Sequence, residues 1–125
     1  MHKLKLRESY KLSEIITEIS EAIKMNNFKL LGYKEMDFCL YTVRGSDDYR
    51  EDTICYLDDY PEVTDNDEEI YSDFVNSNSL KIFYFGSLFE DVIANALQQK
   101  SNSSISEFIS CLNHYSERDN FLDLL

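Results

Sequence analysis

One short segment concentrates the residues that could do chemistry in this chain. Residues 47–73 hold 12 of the 24 acidic residues and a single basic one, Arg50, so the segment carries almost the entire net charge of −12. A charge this local creates a field that attracts cationic partners, and it says little about fold. Carboxylates can also bind metal ions or transfer protons. Each of these two functions requires a particular spacing of residues.

The spacing disfavours a metal site. Residues 65–69 place oxygen-bearing side chains close together, as calcium-binding loops do. An EF-hand loop counted from Asp65 needs glycine at its sixth position and glutamate at its twelfth, where this chain has Ile70 and Asn76. We therefore expect neither a metal ion nor a cofactor.

The sequence offers few catalytic groups. Its two histidines are His2, at the terminus, and His114, which falls in a predicted helix where a structural or surface role is the usual one. It has no glycine-rich phosphate loop, no paired cysteines of the CxxC type and only three glycines. We expect no catalytic residue and a protein that is not an enzyme.

The basic residues, apolar runs and cysteines indicate where the protein is located and which partners it can bind. The only basic cluster, within residues 3–11, is short, so direct binding to nucleic acid is disfavoured. No apolar run approaches the length of a membrane span, and the N-terminus has no apolar segment of the secretory type. Cys39, Cys55 and Cys111 are odd in number, which is typical of buried thiols in a reducing compartment, although Cys39 and Cys55 could face each other across paired strands. These features predict a cytoplasmic protein.

The acidic segment also contains four tyrosines, which are frequent anchors at protein interfaces. Carboxylates give fast association with a cationic partner, and aromatic rings can add slow release. The alternative is an acidic loop that is merely solvated and keeps the protein soluble. The predicted partner-binding residues are Asp47, Asp48, Tyr49, Asp52, Asp58, Asp59, Tyr60, Glu62, Asp67, Glu68, Glu69 and Tyr71.

Periodicity predicts an α+β fold in a single domain spanning residues 1–125. Apolar residues recur at helical spacing over residues 12–25, and β-branched and aromatic runs at residues 37–43, 53–57 and 80–85 predict strands. Residues 28–33 could add another strand. The expected architecture is an antiparallel sheet of three or four strands packed against an N-terminal helix and two C-terminal helices.

The two C-terminal helices carry predicted start signals. Ser87 with Glu90, and Ser104 with Glu107, have the spacing of a capping box, in which the serine and the acidic residue satisfy each other's backbone N–H groups. The helices should run over about residues 88–100 and 105–118, and the short connection favours antiparallel neighbours.

Two resemblances follow from particular residues. Residues 89–100, with the Asp-Val-Ile-x-Asn-Ala pattern, and the Asp-x-Phe close at 119–121 resemble a small bacterial domain family of no assigned activity, and residues 12–16 are similar to how its members begin. The chain departs from that family at residues 111–114 and by a longer acidic middle. By size, acidity and variable middle it also resembles immunity proteins of contact-dependent inhibition and other polymorphic toxin systems.

The second resemblance implies a function. Such proteins neutralise a toxin domain, often a nuclease, by binding it, and an acidic face could occupy the cationic cleft that receives phosphates. We therefore expect a cognate toxin as the partner, without catalysis. A regulatory or housekeeping interaction domain with a solvated acidic loop, and a DNA mimic that binds many basic proteins, remain alternatives. The oligomeric state stays open.

Overall fold

A computed structural model describes residues 4–25, 38–44 and 49–125. In chain order these residues form β1 (Ser9–Lys11), α1 (Leu12–Met25), β2 (Cys39–Val43), β3 (Ile54–Asp58), β4 (Glu62–Val63), β5 (Glu69–Ile70), α2 (Asp73–Ser77), β6 (Leu80–Tyr84), α3 (Gly86–Gln99) and α4 (Ile105–Arg118).

Four strands form an antiparallel sheet in the order β1-β3-β2-β6. Three of them are the strands that the sequence predicts, so the α+β prediction is confirmed. The fourth, β1, was not predicted and pairs with β3 along three residues. The candidate strand at residues 28–33 lies outside the described residues.

One face of the sheet packs against the three long helices. Apolar periodicity places Ile15 and Ile19 of α1 on this side, where they are buried with Phe89 and Leu97 of α3 and Leu112 of α4. Sheet residues complete this helix-side core, and they are Leu40, Cys55, Leu57 and Tyr84. Because so much apolar surface leaves water here, this core is the main source of stability.

The opposite face of the sheet is covered by the chain between β3 and β6. Cys39, Tyr41 and Leu80 of the sheet are buried there against Val75 of α2, with Phe74 packed beside them. We call residues 59–79 the acidic layer, because the sequence gives them seven carboxylates and no basic residue. The part of the acidic segment that follows β3 is thus a layer packed on the sheet.

The two predicted helix caps have different outcomes. At α4 the Ser104 hydroxyl accepts from the Glu107 N–H and the Glu107 carboxylate accepts from the Ser104 N–H, so this capping box is confirmed. At α3 the prediction is wrong, because the helix begins at Gly86 with Phe85 as its N-cap, and Ser87 already lies inside the first turn.

We expect this difference to appear in stability. Ser104→Ala should lower the free energy of unfolding by about 1 kcal/mol, because it leaves the Glu107 N–H in the first turn of α4 without its acceptor. Ser87→Ala, the matched control, should change it by less than about 0.5 kcal/mol. Urea unfolding of both variants checks the prediction, and equal losses would contradict the assignment of the caps.

Candidate partner-binding surface

Aromatic packing fixes the acidic layer to the sheet. The Tyr71 ring meets the buried Tyr41 ring edge to face, with 6.3 Å between centroids, and Phe74 packs on Tyr56 at 5.9 Å. The Tyr41 hydroxyl donates to the main-chain carbonyl of Asp59 at 2.7 Å, and burial raises the pKa of Tyr41. The layer therefore has a defined position, which a merely solvated loop would lack.

Asp58 anchors the start of the layer from inside the fold. Its side chain is fully buried and lies 3.4 Å from the Arg7 guanidinium, which is half exposed. The same carboxylate accepts from the Asp59 N–H at 2.8 Å and from the Ser72 hydroxyl, and that hydroxyl also caps α2 by accepting from the Val75 N–H. These contacts join Arg7, which precedes β1, to the end of β3 and the start of α2.

Asp58 is thus a correction to the predicted binding face. A charge at the end of a strand, next to a second aspartate, carries no sequence signal that says which of the two points inward. Asp59 is the exposed member of the pair, and Asp58 satisfies its charge within the protein, as buried carboxylates must. Asp58 therefore does not belong to the surface that a partner can reach.

The tyrosines of the acidic segment also differ from the expectation of exposed anchors. Tyr49 packs on Phe83 with 4.8 Å between centroids, and Tyr56 and Tyr71 are half buried against the sheet. The Tyr71 hydroxyl donates to Glu69 at 2.6 Å, and this bond, together with burial, raises the pKa of Tyr71 to about 12. The rings of Tyr56 and Tyr71 hold the acidic layer in place and offer little surface to a partner.

Tyr60 is the most exposed of the four, at 37%. It stacks on Phe85, and its hydroxyl accepts from the Ser87 N–H at 2.8 Å. The Tyr60 hydroxyl is therefore a hydrogen-bond acceptor for the first turn of α3, where the N-cap residue Phe85 makes no side-chain capping bond. Sequence analysis missed this role, because the two partners lie 27 residues apart.

A small hairpin projects from the layer and carries most of its exposed carboxylates. Strands β4 and β5 pair Glu62 with Ile70 and Val63 with Glu69. The turn between them is held by Thr64, whose hydroxyl accepts from the Asn66 and Glu68 N–H groups. Because directly paired residues share a face, each face of the hairpin shows one acidic and one apolar side chain.

Val63 and Ile70 are the apolar residues that the hairpin exposes, at 64% and 54%. They were not among the predicted site residues, because strands of two residues give almost no periodic signal in the sequence. Val63 lies beside Glu69 on one face of the hairpin and Ile70 beside Glu62 on the other, so each face has an exposed apolar contact that the half-buried tyrosines do not provide.

The structure places the predicted carboxylates of the site in different parts of the fold. Asp59, Glu62, Asp67, Glu68 and Glu69 are exposed on the layer. Asp52 lies at the opposite end of β3, roughly 20 Å away at the rise of a strand, beside Arg50 at 3.8 Å. Asp47 and Asp48 lie outside the described residues.

Two further observations concern chemistry. Among the described residues, no three histidine, cysteine or acidic side chains lie close enough together to hold a metal ion. The His114 ring nitrogen Nε2 contacts the Asn120 side-chain oxygen at 2.8 Å, which ties the end of α4 to the C-terminal segment.

Within the part of the chain that the structure describes, no helix has the length and apolarity needed to cross a bilayer.

The three cysteines are free and buried: Cys39 lies on the layer side of the sheet, and Cys55 of the sheet and Cys111 of α4 lie in the helix-side core. Cys39 lies opposite Asp58 and not opposite Cys55, so the two thiols do not face each other across the strands. Burial raises the pKa of Cys39 to about 11 and that of Cys55 to about 12, and it also raises the pKa of Cys111.

These thiols should be inert in the folded protein. A raised pKa keeps a thiol protonated at pH 8, and the reactive species is the thiolate. We expect no reaction with a colorimetric disulfide reagent within minutes at pH 8, and three equivalents after unfolding in urea. Ser101→Cys, at an exposed position, is the control that should react at once. A native cysteine that reacts as fast as this control would contradict the assignment.

Fold and surface together define an α+β domain whose open sheet face is covered by an ordered acidic layer. The chain belongs to the family described as a domain of unknown function (DUF7716), whose match covers residues 14–124. A comparison with curated proteins gave no match, and a comparison with solved structures gave none either.

Proposed function

We propose that this chain is a cytosolic immunity protein that binds and neutralises a cognate toxin domain without catalysing a reaction. The observation that carries the proposal is the acidic layer, which places seven carboxylates and no basic residue on one ordered element. A toxin with a cationic cleft is the partner that such a surface fits, and among toxins the nucleases have clefts of this kind, because they bind phosphates.

Order in the layer supports binding in preference to solvation alone. A surface that is already fixed loses little conformational freedom when a partner docks, so more of the contact energy appears as affinity. Asp58, Tyr71 and Val75 fix the layer from below, which leaves Glu62, Glu68 and their neighbours to face outward. The carboxylates would steer the encounter, and Val63 and Ile70 would add contact area that excludes water.

The competing function is a regulatory or housekeeping interaction domain whose acidic residues are merely solvated. The inward packing of Tyr49, Tyr56 and Tyr71 favours it to some extent, because these rings are then explained by stability alone. The two functions differ in what happens when the acidic layer is altered, since only the immunity protein needs its charge for activity.

Neutralisation can be measured directly. A basic protein that this chain retains from a lysate of its source organism is assayed for cleavage of plasmid DNA and of transfer RNA, with increasing amounts of the chain added. We expect cleavage to fall to the background at about one equivalent, because the layer occupies the substrate cleft. Nuclease activity that persists in the saturated complex would contradict the proposal and favour the regulatory domain.

A further inference from the structure

A groove of about 340 Å³ lies between the edge strand β6 and helix α4. One wall consists of three consecutive residues of β6, Lys81, Ile82 and Phe83. The side chains of Lys81 and Ile82 point to opposite faces of the sheet, so a wall that contains both is the edge of the strand itself, with its main chain. The register shift opposite Leu40 and Tyr41 places a bulge at Phe83, where this alternation ends. The opposite wall is one face of α4, formed by Asn113, Ser116 and Glu117, and Tyr49 also lines the groove.

The register shows which main-chain groups point into the groove. Arg44 donates its N–H to the Ser79 carbonyl at 3.1 Å, one step before the Val43–Leu80 pair. Hydrogen-bonded and non-hydrogen-bonded pairs alternate in an antiparallel ladder, so the main chains of Leu80 and Ile82 point away from β2. The Leu80 carbonyl already accepts from the Arg44 side chain at 3.3 Å, so a ligand would have to use Ile82. The N–H and C=O of Ile82 therefore face the groove.

Main-chain N–H and C=O groups at the edge of a sheet can bind an extended polypeptide by pairing with its main chain. A peptide that lies along β6 would pair its main chain with Ile82 and become a fifth strand of the sheet, and among the described residues no strand occupies that position. Its alternate side chains would point to the two faces of the sheet. On one face they would meet the aromatic rings of Phe83 and Tyr49, and on the other they would approach helix α2 of the acidic layer, whose carboxylate is Asp73.

Charge indicates whether the groove would bind a second copy of this chain or a segment of another polypeptide. A second copy of this chain would bring together two molecules that each carry a net charge of −12, so pairing of two β6 edges is opposed by repulsion. A strand with basic residues on the face toward the acidic layer is attracted by it, and apolar residues on its other face match Phe83 and Tyr49. The complementary ligand is therefore extended, basic on one face and apolar on the other.

We propose that the groove between β6 and α4 binds an extended segment of a partner polypeptide, with alternating basic and apolar side chains, by β-strand addition to Ile82. The acidic layer then flanks this second interface and selects basic sequences. This inference does not depend on the immunity function, because any polypeptide with such a segment satisfies the groove.

The test uses a capped octapeptide of alternating valine and lysine, titrated into the ¹⁵N-labelled protein at low salt. We expect the amide resonance of Ile82 to shift on binding. Methylating the backbone nitrogens of one alternating set of peptide residues should weaken binding at least tenfold, while methylating the other set should leave it within twofold. Only one set faces β6, and both methylated peptides keep the same charge.

Asn113→Trp should block the groove from the α4 side and weaken peptide binding at least tenfold. Its matched control is Ser106→Trp, at an exposed position two turns earlier in the same helix that does not line the groove, which should leave binding within twofold. Circular dichroism confirms that both variants fold, and the methylated peptides test the proposal without any protein variant.

Three outcomes would overturn it. Equal binding of both methylated peptides would show that charge alone attracts the peptide. Resonance shifts confined to residues 62–70, with none at Ile82, would place the peptide on the hairpin. A concentration-dependent dimer in sedimentation that Asn113→Trp abolishes would make a second copy the occupant of the groove.

Discussion

Reversing Glu62, Asp65 and Glu68 together to lysine weakens binding to the cognate toxin by roughly 100-fold if the acidic layer is the interface, at about 1 kcal/mol for each reversed charge. All three side chains are exposed on or beside the hairpin. Asp58 and Glu69 stay unchanged, because one anchors the layer and the other accepts from Tyr71. Most of the loss should lie in the association rate, since steering acts before contact.

The control reverses three exposed carboxylates away from the layer, Glu21, Asp91 and Asp123. Both triple variants change the net charge equally, so a general field effect would weaken binding by both to a similar degree. Affinities from surface plasmon resonance at two salt concentrations separate the cases. A layer variant that binds as tightly as the control variant would show that the acidic layer is not the interface.

Asp58→Ala should produce the largest loss of stability among the acidic residues, about 3 kcal/mol. The change removes the acceptor of the Ser72 hydroxyl and the Asp59 N–H and the partner of Arg7. Because these contacts join the acidic layer to the sheet, hydrogen exchange should accelerate over residues 59–79 more than in α1 or α3.

Asp59→Ala is the matched control for this prediction. Its side chain is exposed, and truncation should alter the free energy of unfolding by less than about 0.5 kcal/mol. Urea unfolding and hydrogen exchange followed by mass spectrometry measure both variants. If Asp58→Ala were as stable as Asp59→Ala, the buried contacts would not anchor the layer.

The elements with strong local signals could be predicted from the sequence. Helix α1 has the predicted bounds, because its apolar residues recur at helical spacing over these positions. The capping box of α4 has the predicted residues, whereas the same spacing at Ser87 is misleading. There the preceding strand ends at Tyr84, and the helix begins too early for Ser87 to be its cap.

The candidate surface could be predicted only in part, because burial is a property of the tertiary structure. Carboxylates such as Glu62 and Glu68 are exposed as expected, since solvated charge needs no partner. Neither the burial of Asp58 nor the packing of Tyr71 on Tyr41 follows from local sequence, because each depends on a chain segment crossing the sheet. Strands as short as β4 and β5 give almost no periodic signal.

The central claim is that the acidic layer holds one specific basic partner. The most direct measurement is capture from a lysate of the source organism on the immobilised chain and on its Glu62, Asp65, Glu68 lysine variant, washed at low and then at high salt. We predict one basic protein that survives high salt on the unaltered chain and is lost from the variant, because charge and apolar contacts act together. A salt-labile mixture of basic proteins, or the same protein retained equally by both, would contradict the account.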